Sequence, residues 1–144
     1  MSRIQFQAKL ALAVSALWWA SLSCLGAWIV PSLFSYAPSK ALAGNLAAHL
    51  FSGQTWLTLA CCLSLLAISN ASPALSISNW LKNAQKSLIA GMLCAFLLEF
   101  LVAPKIVARE SLILWHGLGT AMFVMQWICA SWVFFKTPLS LEQS

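Results

Sequence analysis

Three side chains stand where chemistry could be done: Glu99 inside an apolar stretch, and the chain's two histidines, His49 and His116, each in the opening turns of another. An ionisable group in hydrocarbon is costly, so Glu99 marks a site, a pathway or a satisfied internal pair. Counted at about 1.5 Å per residue from the helix ends, Glu99 and His116 fall at similar depth, and His49 enters from the same side. A carboxylate beside two imidazoles could bind a cation, relay protons or hydrogen-bond a small ligand. The commoner alternative is structural, with Glu99 paired to a histidine, to Lys105 or to Arg109 and fixing the helix packing.

Other chemistries find less support. Two histidines on opposing helices admit a bis-histidine haem, but that would use every histidine in the chain. A zinc or copper site lacks the HxxxH or CxxC spacing that would make it specific. Haem and transition metals are therefore lesser readings, and no cofactor is expected. There is no aspartate, which removes Ser-His-Asp catalysis. A triad of Glu99, His116 and Ser111 has no Gly-x-Ser-x-Gly turn behind it. No glycine-rich phosphate loop appears, so an enzyme has little basis. Cys24, Cys61, Cys62, Cys94 and Cys129 all lie in apolar stretches and read as small core residues, not as disulfides.

The elements that must position these groups follow from composition. The 144 residues are 61% hydrophobic and 8% charged, an apolar excess that only lipid can solvate. A bilayer core of about 30 Å takes about 20 helical residues, and four stretches qualify, near 10–34, 42–69, 86–107 and 111–135. The expectation is an all-α integral membrane four-helix bundle forming one transmembrane domain over 1–144. Arg3 and Lys9 before an apolar run resemble a secretory signal, but the run continues to Val30, beyond the roughly 7–15 residues of a signal core, so it reads as a retained anchor.

Arg3, Lys9, Lys82, Lys86 and Lys136 fall on one side, against Lys40, Lys105 and Arg109 on the other. That bias puts both termini in the cytoplasm, with a bacterial inner membrane as the expected location. The net charge of +5 then serves topology and headgroup attraction, not nucleic-acid binding. Several of the eight tryptophans sit near span ends, as interfacial indoles do. The connection from Asn70 to Lys86 reads as a polar turn around Pro73 with a short interfacial helix around Trp80.

Ser39 is placed to cap a helix beginning at Lys40, and Gly44, Ala48 and Ser52 then recur every four residues on one face, as suits close helix contact. The halves are alike in outline: Ile29-Val30-Pro31-Ser32-Leu33-Phe34 closes one helix, Leu101-Val102-Ala103-Pro104-Lys105-Ile106 another, and each precedes a helix with one early histidine. Duplication of a helical hairpin is the hypothesis this raises.

Pro31-Ser32-Leu33-Phe34, Ala43-Gly44, Leu50-Phe51 and Leu114-Trp115-His116-Gly117-Leu118 together resemble the transmembrane protein 205-like family, also described as domain of unknown function 4149. The likeness covers most of the chain. It implies a four-span bundle whose motif positions here are Pro31, Phe34, Ala43, Gly44, Phe51, His116 and Gly117, and it brings no activity. Gly119 departs from the serine expected there. A looser likeness in the first helix to copper-resistance membrane domains and haem-pathway oxidases is analogy only. The resulting expectation is an accessory or interaction subunit of a membrane complex, with lipid and other membrane subunits as partners. Small-residue faces such as Gly44, Ala48 and Ser52 would hold it to those partners, with Pro104 among the helix-packing positions. The rival is a small transporter or binding protein using His49, Glu99 and His116.

Overall fold

A computed structural model describes residues 3–71, 76–108 and 110–142. They fold into six α-helical segments: α1 (Arg3–Cys24), α2 (Val30–Tyr36), α3 (Lys40–Ala71), α4 (Ser76–Leu97), α5 (Ala103–Val107) and α6 (Leu112–Glu142). Two π-helical turns, Leu25–Ile29 and Leu98–Val102, join α1 to α2 and α4 to α5. Four spans result, Gln5–Tyr36, Lys40–Asn70, Ala84–Val107 and Ile113–Thr137, each long and apolar enough to cross a membrane. Helix is what such a chain must form, because hydrocarbon offers backbone N–H and C=O groups no partner outside their own segment. The fold is an all-α membrane helical bundle.

The spans alternate in direction. The first packs against the second and fourth, and the third packs against the same two, so the bundle closes as a ring. Large apolar side chains cover its outside, among them Trp28 at 71% exposure and Trp56 at 61%. These rings face lipid, since water would not tolerate so much apolar surface.

The π-turns have a local cause. A proline has no N–H, and its ring collides with the carbonyl four residues back, here those of Ala27 and Phe100. Both carbonyls sit in the wider turns, where Val30 N–H reaches Leu25 O and Ala103 N–H reaches Leu98 O, five residues away. Pro31 and Pro104 each follow the first residue of their turn by the same interval. The first and third spans therefore carry the same π-turn and proline device at one register, which gives the likeness of the two hairpins a structural counterpart.

Ser39 caps α3 as its type requires, accepting from Leu42 N–H at 3.2 Å. The second connection departs from expectation. The stretch around Trp80 is no separate interfacial helix; it is the opening of α4, which starts at Ser76. Pro73 lies outside the described residues.

The core gathers toward the end that carries the termini, here the near end. Trp18, Leu22, Cys62, Leu65, Leu88, Ala130 and Val133 pack there with no appreciable exposure. Trp18 reaches across the axis to Gly91: a Cβ added at Gly91 would stand 2.7 Å from the indole. Only glycine admits so close an approach, the usual service of small residues where membrane helices meet.

Candidate functional site

Toward the far end, which carries the connections 37–39 and 108–111, the packing loosens. There α2 lies on α3 and α5 on α6, each within its own hairpin. Between the hairpins is a cavity of about 810 Å³, inside the range of roughly 300–1,000 Å³ typical of small-ligand sites.

All four spans contribute to its wall. The first supplies Gly26, Ala27 and Phe34, the second Gly44, Ala47, Ala48 and Phe51, the third Glu99 and Val102, and the fourth His116, Gly119 and Phe123. Small residues make the room. Nothing lies within 4 Å of a Cβ built at Gly44, so the Gly44 and Ala48 face borders open space, where the sequence pattern had suggested a packed helix. Gly26 serves a different end, because its Cβ would meet the Phe123 ring at 2.7 Å. Phe123 can thus fold inward and meet Phe51 edge-on, with ring centroids 5.4 Å apart and planes at 83°.

Most polar groups on this wall are already occupied. Ser23 Oγ donates to Trp19 O at 2.8 Å and accepts from Trp127 Nε1 at 2.9 Å. Thr120 Oγ1 donates to His116 O at 2.9 Å, and Trp19 Nε1 donates to Ser131 Oγ at 3.0 Å. Glu99 accepts from Ser52 Oγ at 2.5 Å through Oε1, a bond that ties the second span to the third across the gap between hairpins. Two polar groups facing this space remain without a hydrogen bond among the described residues: the second Glu99 oxygen and the His116 imidazole. No lysine or arginine lines the cavity among those residues.

Lys105, one of the expected ion-pair partners of Glu99, does not meet it. Lys105 Nζ pairs instead with Glu110 Oε2 at 2.8 Å, both side chains well exposed, because Glu110 lies in the adjoining connection while Glu99 is more than a turn deeper. Arg109 lies outside the described residues. Ser52, the partner found, was legible as the third small residue in the series from Gly44, at a depth matching Glu99.

The three singled-out residues are not all brought together. Glu99 and His116 share the cavity, while His49 is exposed and does not line it. At 100° per residue His49 stands about 140° around the helix from Gly44. Among the described residues, no group of three or more histidine, cysteine or acidic side chains is placed to hold a metal ion. Of the motif positions, Phe34, Gly44 and Phe51 line the cavity. Ala43 is buried beside it in sequence, Pro31 and Pro104 follow the two π-turns, and Gly117 is exposed with open space around it. Ser111 does not line the cavity.

The chain matches no curated protein and no solved structure. One family model, described as domain of unknown function DUF4149, matches residues 13–113. That stretch takes in the cavity walls of the first three spans and more than half of the chain, and the protein belongs to this family.

Proposed function

We propose that this protein is a non-enzymatic membrane protein that binds a small, largely apolar ligand between its hairpins, with Glu99 and His116 as the polar contacts. The observation that carries the reading is the cavity itself: about 810 Å³, walled by all four spans, with two hydrogen-bonding groups left over among the described residues. His49 has no part in it.

The test uses the neutral fluorophore N-phenyl-1-naphthylamine with the purified full chain in detergent. Saturable enhancement is expected, weakened at least about tenfold by Gly44→Leu, which fills the cavity. Gly53→Leu is the control, since Gly53 has equal room for a side chain but lies off the cavity. Equal behaviour of the two variants would sink the reading.

A second reading is the accessory subunit, favoured by the open space at Gly44 and Ala48, which a partner's helix could fill. Gly44→Leu would then release a co-purifying membrane subunit, whereas an unchanged complex speaks against it. Under either reading we place the chain in a bacterial inner membrane with both termini cytoplasmic, on its lysine and arginine bias. Within the family we regard it as of the transmembrane protein 205-like kind, on Pro31 to Phe34 and Leu114 to Leu118.

A further inference from the structure

We propose that the occupant of the far-end cavity is a lipophilic organic cation, an inference that rests on the ligand-binding reading above. Charge complementarity is the first argument. Among the described residues, Glu99 is the one acid on the wall, one of its oxygens has no hydrogen bond, and no lysine or arginine lines the cavity to neutralise it. A carboxylate in so apolar a setting attracts a cation more strongly than it would in water, and it repels an anion equally.

The aromatic complement is the second argument. Trp19, Phe34, Phe51, Phe123 and Trp127 line the same space, and the negative ring faces of such side chains favour a diffuse cation. The indole N–H groups of Trp19 and Trp127 are occupied by Ser131 and Ser23, which leaves these rings to act through their faces. A metal ion or a small hydrated cation would find one carboxylate and few other donors, whereas a cation wrapped in apolar groups matches both wall chemistries. The His116 imidazole, on the same wall, offers a ring nitrogen to the N–H of an amine of the same class.

Two ions of nearly equal size and opposite charge decide the matter: tetraphenylphosphonium and tetraphenylborate. Each is titrated against N-phenyl-1-naphthylamine bound to the full chain in a neutral detergent. The phosphonium is expected to displace the fluorophore at least about tenfold more effectively than the borate. Glu99→Gln should erase that preference. Ser52→Ala, which keeps the carboxylate, should retain it. Equal displacement by both ions, or a preference surviving Glu99→Gln, overturns the cation assignment while leaving the cavity reading intact. If Glu99→Gln fails to fold, the two ions on the unmodified protein still decide. Absence of any Gly44-dependent fluorophore binding removes both proposals.

Discussion

The near and far halves of the bundle are made from the same four helices and nearly the same residue types, yet one is close-packed and the other is open. Two glycines make the contrast concrete. Gly91, in the near half, is buried against Trp18, and a Cβ there would stand 2.7 Å from the indole; Gly44, in the far half, has no neighbour within 4 Å of the same position. Glycine is thus used once to bring helices together and once to hold space between them. The difference follows from connectivity and from the π-turns. The far-end connections join helices within each hairpin, and the π-turns before Pro31 and Pro104 fall in that half, where α2 packs on α3 and α5 on α6.

The sharpest way to break this contrast is to remove the central ring of the packed half. Trp18→Ala leaves a void that rigid surroundings cannot collapse, and should cost about 3–5 kcal/mol. Phe51→Ala, beside space that is already empty, loses little beyond its contact with Phe123 and should cost about 1 kcal/mol. Unfolding of both variants in mixed micelles of increasing denaturing detergent gives the comparison. Similar losses would mean the halves are equally packed.

Next in size are the glycines. Gly91→Ala forces the Trp18 indole aside and should destabilise by about 1–3 kcal/mol. Gly44→Ala has the opposite sign: the methyl group meets nothing, and a helical glycine replaced by alanine gains about 0.5–1 kcal/mol. A reversal of sign between two chemically identical substitutions is hard to produce by any general effect of the mutation. Loss of stability on Gly44→Ala would show that the cavity wall is tighter than its geometry indicates.

How far these features were legible in the sequence differs by half. Four spans, the helix start at Lys40 and the outer depth of Glu99 follow from length, hydropathy and capping chemistry, which are local. The role of Gly44 and Ala48 does not. A small residue every fourth position says that something can approach closely, but not whether a helix does, because that depends on where two hairpins diverge. Likewise His49 shares the depth of Glu99 and is turned about 140° from the cavity face, an angle fixed by helical geometry, yet its meaning required knowing which face was inward. The Lys105 pairing failed for a related reason. An exposed carboxylate at Glu110, within reach across the connection, is a cheaper partner for a lysine than one held among apolar walls.

The hydrogen bond from Ser52 to Glu99 joins the hairpins beside the cavity, and it tests whether the open half is held by polar contact. Interhelical hydrogen bonds in membranes average about 0.6 kcal/mol, so Ser52→Ala should lower stability by about that amount. A cross-link between cysteines introduced at the two far-end connections should then form more slowly in Ser52→Ala if the bond draws the hairpins together. An unchanged rate would locate the restraint in the near half alone.

An effect of similar small size concerns backbone strain, which among the described residues is recorded at one far-end position. Ser111, before α6, has φ of +36° and is the one non-glycine residue of positive φ among those described. A side chain in that region costs of order 1–3 kcal/mol, whereas glycine occupies it freely at an entropic cost of about 0.5–1 kcal/mol in the unfolded chain. Ser111 holds its place partly through its carbonyl, which accepts from Leu114 and Trp115 N–H at 2.9 and 3.2 Å, bonds that glycine would keep. Ser111→Gly should therefore stabilise by about 0.5–1 kcal/mol in the same unfolding assay. A loss of stability instead would mean that the serine side chain itself holds the connection, and that the backbone strain at the far end is compensated where it arises.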